Sequence, residues 1–204
     1  MDKRIEKTIK NLEKNNMKCF FLEKKEEVIP LLENFIKEHD VVSVGGSVTL
    51  SQLGVIDYLR SLNITFLDRY AEGLTSDDLK EIFRKTFFAD VFITSTNAIC
   101  EDGTLYNVDG RGNRVAAMIY GPDKVIVIAG VNKIVKDLDE AIERVKNHAA
   151  PSNAKRLELN TPCTLTNKCS DCESKERICR NYVLIKKPQP NRIYVILVNE
   201  TLGY

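Results

Sequence analysis

The most constraining stretch of this sequence is Lys124 to Ala129, KVIVIA. Its apolar residues run on without polar alternation. A strand with one solvated face would alternate, so this one reads as buried on both faces, the habit of a parallel sheet covered by helices. Parallel neighbours cannot be joined by tight hairpins and need long, usually helical, crossovers. The rest of the chain has that form. Strand candidates at Lys18 to Leu22, Asp40 to Val44, Ile64 to Leu67 and Asp90 to Thr94 are separated by stretches with helical spacing, and Thr104 to Val108 follows after a loop at Ser95 to Gly103. Val28, Leu31, Leu32, Phe35 and Ile36 fit the i, i+3, i+4, i+7, i+8 pattern, with Pro30 tolerable only near the first turn. Leu50, Leu53, Ile56 and Leu59 repeat every three residues, and Leu79, Ile82, Phe83 and Phe87 give another apolar face behind a cap at Ser76. Residues 2–17 read as a charged amphipathic helix, and Asp137 to Glu140 resembles a capping box ahead of Leu138, Ala141, Ile142 and Val145. Strands alternating with helices predict a largely parallel, three-layer α/β domain over residues 1–150.

In such sheets ligands sit outside the carboxyl ends of the strands. Three loops directly follow predicted buried strands: Gly45–Ser47, Ser95–Gly103 and Gly130–Lys133. The first sits in DVVSVGGSVTL, a strand, a glycine turn and a helix start. Gly45 and Gly46 let a ligand approach the backbone, while Ser47 and Thr49 offer a cap or hydroxyl donors. The same residues also suit an ordinary βα turn. Asn97, Asn132 and Lys133 lie in the other two loops, and the turn Asp109-Gly110-Arg111-Gly112-Asn113-Arg114 can join them. Arg111 and Arg114 can clamp a carboxylate or phosphate, or serve as surface charges. Gly110, Gly112 and Asn113 complete that candidate set, whose expected ligand is a small anion such as phosphate, a carboxylate or a CoA-like molecule. Glu101 follows the strand at 90–94 and is the candidate general base or nucleophile; a solvated acidic turn is the other reading. His39 and His148 look like helix-terminal residues, which argues against a His-based catalytic arrangement.

From about residue 151 the character changes. Residues 151–204 read as a C-terminal extension packed on the same domain, with Ile193 to Val198 returning as an extra strand. Cys163, Cys169, Cys172 and Cys179 lie within 17 residues and include a C-x-x-C pair. Such spacing suits a four-thiolate site for zinc or an iron–sulfur cluster, with disulfides or free thiols as the alternative. Cys19 reads as a core residue. The net charge of +1, from 30 basic and 29 acidic residues, offers no basic excess for nucleic acid or an anionic membrane. The polar N-terminus and the lack of any run of ~18 apolar residues predict a cytoplasmic chain.

Taken in order, GGSVT (45–49), NAICEDGTLYNVDGRGNRVAAMIYGP (97–122), VIVIAGVNKIV (125–135) and PCTLTNKCSDCESKERIC (162–179) resemble the LUD-domain family, proteins related to the C subunit of bacterial lactate utilisation. The resemblance covers roughly residues 1–185, and the cysteine tail is similar to the family's short, stand-alone branch. It implies a fold like ribose-5-phosphate isomerase, glucosamine-6-phosphate deaminase and the CoA transferases, with a short cysteine-rich appendage. It implies assistance to oxidation of a 2-hydroxy acid such as lactate, an iron–sulfur partner protein, and iron–sulfur over zinc at the cysteines. The glutamate nucleophile of CoA transferases lies near a glycine, a local pattern that Glu101 and Gly103 share. An independent isomerase or acyl transferase using Glu101, and a non-enzymatic ligand-binding module with a structural metal, are the alternatives. Whether the chain forms a homo-oligomer is left open.

Overall fold

The computed structural model describes residues 1–204. Its strands are β1 (Lys18–Leu22), β2 (Val41–Val44), β3 (Thr65–Leu67), β4 (Val91–Thr94), β5 (Ala98–Cys100), β6 (Leu105–Asp109), β7 (Lys124–Gly130), β8 (Ile134–Val135), β9 (Asn181–Ile185) and β10 (Ile193–Val198). The helices are α1 (Lys3–Lys14), α2 (Val28–Leu32), α3 (Val48–Gln52), α4 (Val55–Ser61), α5 (Ser76–Lys85), α6 (Asn113–Ile119), α7 (Leu138–Arg144), α8 (Ala150–Arg156) and α9 (Pro162–Thr166). Six strands form one sheet in the order β1-β10-β7-β4-β2-β3, and every pairing in it is parallel. A second sheet, β8-β5-β6-β9, is mixed, with the β5–β6 and β6–β9 pairs antiparallel.

The expectation for KVIVIA holds in detail. Ile126 and Ile128 of β7 join Val42, Val44, Val91, Ile93, Ile196 and Val198 in one core cluster, which α2, α3 and α4 cover through Leu32, Leu50 and Leu59. Val125, Val127 and Ala129 face the other way, with Phe92, Val195 and Leu197. There they meet Ile5 and Leu12 of α1, Ala117 and Met118 of α6, and Ile99 and Leu105 of the second sheet. A third cluster, including Cys100, Tyr106, Ala141 and Val145, packs α7 on the far side of that small sheet. The result is an α/β architecture with helices on one face of the parallel sheet and helices plus a small sheet on the other.

Several elements differ from their sequence patterns. The helix expected from Val28 to Ile36 ends after Leu32, and the one expected to run to Leu59 divides at Gly54, whose φ of 66° suits a residue without a β-carbon. The cap of α5 is Thr75, not Ser76, in a reciprocal pairing with Asp78. The stretch 95–103, expected as a loop, contains β5. The largest difference is β10, the expected extra strand. It lies between β1 and β7 with all its residues but Tyr194 buried, so the chain's last strand completes the middle of the core. No helix is long and apolar enough to cross a membrane.

Candidate functional site

Because the large sheet is wholly parallel, the carboxyl ends of its strands share one rim. The chain reverses its direction of winding between β2 and β4, since β3 lies outside β2 while β7 and β10 lie outside β4. A crevice forms at such a switch point. A cavity of about 490 Å³ opens there, lined by Gly46, Ser47, Val48 and Thr49 after β2, Arg69 after β3, Ser95, Thr96 and Asn97 after β4, and Lys133 after β7. The segment after β10 contributes Gly203 and Tyr204. From the side come Asp109, Gly110, Arg111, Asn113 and Arg114, and the roof is formed by Val145, Ala149, Ala150, Asn153 and Arg156.

Of the residues singled out by sequence, Gly46, Ser47, Thr49, Asn97, Gly110, Arg111, Asn113, Arg114 and Lys133 therefore meet at one cavity. Gly45, Gly112 and Asn132 stand just behind it. A β-carbon at Gly45 would sit 2.5 Å from Thr94 Oγ1, so the glycine lets the ends of β2 and β4 close together. Gly112 begins α6 at φ 83°, and its amide donates to Asp109 Oδ1 at 3.0 Å. Asn132 Oδ1 accepts from the amide of Leu202 at 3.1 Å, holding the chain after β10 over the rim.

Glu101 is not brought to the cavity. β5 starts beside Asn97 and carries the chain away, by roughly 3.3 Å per residue over three residues. At its far end Glu101 accepts from Arg4 Nε and Lys7 Nζ, each at 2.8 Å, and these bonds pull its carboxyl below the usual carboxylate range. The backbone carbonyls of Glu101 and Asp102 accept from Asn11 and Asn15 of α1. The turn docks the first helix.

The cavity's electrostatics are one-sided. Its lining holds Arg69, Arg111, Arg114, Lys133 and Arg156 against a single carboxylate, Asp109. That carboxylate is already used. Asp109 Oδ2 accepts from Arg114 Nε at 3.2 Å, and the remaining Arg114 nitrogens donate to Asn107 Oδ1, Asn97 Oδ1, and the carbonyls of Ser95 and Val108. Arg114 is thus a strut tying α6 to the loop after β4 and to the end of β6, with no donor left to clamp a ligand. Arg144 does similar work from α7, donating to the carbonyl of Asn97 at 2.7 Å. The π-helical turn Val145–Ala149 follows it and shapes the roof; such turns are frequent at functional sites.

Arg111 and Arg156 also lack an acid but are exposed, whereas two cations without an acid are held away from solvent. Lys133 is only 3% exposed and has no carboxylate partner. Its amine donates to Ser95 Oγ at 2.9 Å and Thr49 Oγ1 at 3.0 Å. Burial, with Arg144 and Arg114 nearby, brings its pKa down to about 7. Arg69, which in the sequence falls within a merely polar loop, lies over the Phe83 ring at 4.8 Å and close to Gly46. Its guanidinium has neither hydrogen bond nor ion pair within the chain, and burial lowers its pKa. The signal that could have found it is its position directly after a strand of the same sheet.

The four clustered cysteines line a second, much smaller cavity with Ala150, Ala154, Thr161 and Ile178. Cys169 Sγ accepts from the Asp171 amide at 3.4 Å, and Arg177 donates to the carbonyls of Cys172 and Cys179. Burial first, then the charge of the other three thiols, pushes Cys179 up to about 11. As the side chains stand, no three His, Cys, Asp or Glu groups are arranged to hold a metal ion. Cys179 and Ile178 belong to the walls of both cavities. Cys19 and Cys100 are remote, with pKa values pushed up to about 12 by burial.

Comparison with known proteins gives one solved structure that matches this architecture over nearly the whole chain. The chain is similar to a DUF162 family protein from Deinococcus radiodurans, with a TM-score of 0.55, 14% identity and 96% of each chain covered. It also matches ribose 5-phosphate isomerase A from Neisseria gonorrhoeae over 56% of this chain and 54% of that one, at 16% identity and a TM-score of 0.36. No functionally curated protein matches it. The model of the LUD domain matches residues 5–198, and the chain belongs to the LUD-domain family.

Proposed function

We propose that this chain is a lactate-utilisation-type protein that binds a small carboxylate in the strand-end cavity and assists oxidation of a 2-hydroxy acid such as lactate. One observation carries the reading: Lys133 and Arg69 line the cavity without a carboxylate of their own. Lys133 is buried and Arg69 half-buried, and leaving a buried cation unanswered is costly, a cost that an arriving anion offsets. Ser95 Oγ now donates to Thr49 Oγ1 at 3.5 Å and Thr49 Oγ1 to the Leu202 carbonyl at 3.4 Å, long bonds from which either hydroxyl can turn to donate to a carboxylate or a 2-hydroxyl group. Asp109, spent on Arg114, does not repel such a ligand strongly. Glu101 is a poor candidate for the chemistry, because its carboxylate is engaged by Arg4 and Lys7 outside the cavity.

In the same reading Cys163, Cys169, Cys172 and Cys179 hold an iron–sulfur cluster, or else zinc. Their gathering around one small cavity, and the amide donated to Cys169 Sγ, suit either group. An iron–sulfur cluster there would supply one-electron chemistry next to the wall that Cys179 shares with the larger cavity. The chain's own residues bind and orient the acid: Arg69 meets the carboxylate, Lys133 and the two hydroxyls meet the oxygen on the adjacent carbon, and Leu157, Leu159 and Leu79 exclude water.

Thermal shift tests the ligand. Lactate, pyruvate or another small hydroxy acid should raise the melting point, lactamide should not, and Arg69→Gln should remove most of the effect. If charged and uncharged analogues act alike, the carboxylate site is wrong. Anaerobic purification with metal analysis tests the cysteines: iron with visible absorbance supports the redox reading, zinc a structural one.

A further inference from the structure

Lys133 is placed unlike a lysine that merely neutralises a charge. It is buried at the cavity wall between Ser95 and Thr49, both hydrogen-bonded to it. Every titratable group that acts on it is basic: Arg114 from α6 and Arg144 from α7, with His148 of the π-helical turn also within electrostatic reach. No acid on any surrounding element holds the ammonium form in place. A buried amine beside two hydroxyls and a roomy cationic cavity suits a nucleophile.

We propose that Lys133 is a covalent site, whose amine condenses with the ketone carbon of a short 2-oxo acid bound in the cavity. This rests on the reading of the cavity as a small-carboxylate site. A 2-oxo acid puts its negative group one bond from an electrophilic carbon, so one ligand answers the unpaired cations and presents a carbon to the amine. Burial and the neighbouring guanidinium groups bring the Lys133 pKa to about 7, so much of it is free amine at neutral pH. An ordinary lysine is almost wholly protonated there.

The step balances without an oxidant. The Nζ lone pair attacks the carbonyl carbon, and the carbonyl π pair moves to oxygen. A proton leaves the nitrogen and reaches that oxygen by way of the Ser95 or Thr49 hydroxyl, giving a carbinolamine. The new hydroxyl takes one further proton from solvent and departs as water, while the nitrogen lone pair closes the C=N bond. Amine, ketone and one proton become a protonated imine and water.

The test incubates the full chain with pyruvate and cyanoborohydride at pH 7, followed by intact mass and peptide mapping, with pyruvate thermal shift in parallel. The expected result is one reduced oxo-acid adduct per chain on the peptide holding Lys133, labelled ~10-fold or more above any other lysine because of its larger free-amine fraction. It should be absent from Lys133→Arg, which keeps charge but no nucleophilic amine, and fall several-fold in Ser95→Ala. The wild-type map decides the matter whether or not the variants fold. A thermal shift with no adduct, or with labelling spread evenly over surface lysines, overturns the covalent proposal and leaves the carboxylate site standing. Neither shift nor adduct removes both.

Discussion

Two groups of charge lie at opposite ends of β5, and they follow opposite rules. At the far end, Glu101 is met by Arg4 and Lys7, and Asp102 by Lys186 at 2.8 Å. Each acid has its base, and the result is a docked first helix. At the near end, beside Asn97, five cations line a cavity with one acid, and that acid is already paired to Arg114. The contrast separates paired charge from unpaired charge better than residue type does. A carboxylate in a suggestive local sequence is engaged by the first helix, while a lysine and an arginine without an acid lie where the proposal places a small carboxylate.

The contrast breaks first at Arg114, the cavity cation that follows the structural rule. Arg114→Ala leaves Asp109 buried without its partner and frees the carbonyls of Ser95 and Val108. The expected loss is about 3–5 kcal/mol, read by urea unfolding. A loss below about 1 kcal/mol would show that the loops around the cavity do not depend on this strut.

Lys133→Met should act in the other direction. Below pH 7 the native state carries a buried, unpaired ammonium, and replacing it by an apolar side chain of similar length should stabilise the chain while abolishing stabilisation by pyruvate or lactate. The pH dependence has a definite sign. The folded pKa of about 7 lies below the ordinary value near 10.5, so between these the unfolded state binds more protons than the native one. Stability from this residue therefore rises with pH through that window, by up to about 1.4 kcal/mol per pH unit, and its penalty is complete below pH 7. Cys19 and Cys100, pushed up to about 12, bend the curve downward above pH 9. The comparison is wild type minus Lys133→Met between pH 7 and 9. A flat difference there would place Lys133 in contact with a counter-charge.

Much of this arrangement is legible in the sequence, and the remainder fails for identifiable reasons. KVIVIA announces a strand buried on both faces, and the parallel sheet that follows from it brings the ends of β2, β4 and β7 to one rim. The same rule extends to β3 and β10, which is how Arg69 and the segment through Tyr204 reach the cavity. Neither has a local signature, because Asp68 to Thr75 is simply polar and the last residues are few. β5 has only three residues and β9 alternates weakly between charged flanks, so pairing in the second sheet, not local propensity, makes them strands. Glu101 shows the opposite failure. Its local pattern fits a nucleophile, and only the position of α1, far earlier in the chain, gives it a different job.

Gly45→Ala should have a smaller effect than Arg114→Ala but report on the same rim. The added carbon would meet Thr94 Oγ1 at 2.5 Å and Arg114 Cδ at 3.2 Å, so β2 and β4 must part slightly. About 1–3 kcal/mol of stability should be lost, together with weakened carboxylate binding. Gly46→Ala is the paired control. Its nearest neighbour is the Arg69 guanidinium at 3.4 Å, ordinary contact, so stability should hold while ligand response changes.

The smallest effect is expected at Glu101, which the sequence offered as a general base or nucleophile or else as part of a solvated acidic turn. Glu101→Gln removes one charge from two ion pairs whose basic partners are largely solvated, Lys7 more so than Arg4. Such pairs contribute about 1 kcal/mol or less. The glutamine keeps one acceptor oxygen for one of the two bases and turns an amide donor to the other, while the backbone carbonyl of residue 101 still accepts from Asn11. Stability should therefore fall only slightly, and the loss should shrink in high salt, which screens exposed charge. Carboxylate binding and labelling of Lys133 should not change, since the side chain faces α1 and not the cavity. If Glu101→Gln instead abolished either one while the chain stayed folded, the division between paired structural charge and unpaired functional charge would fail at the residue where it is sharpest.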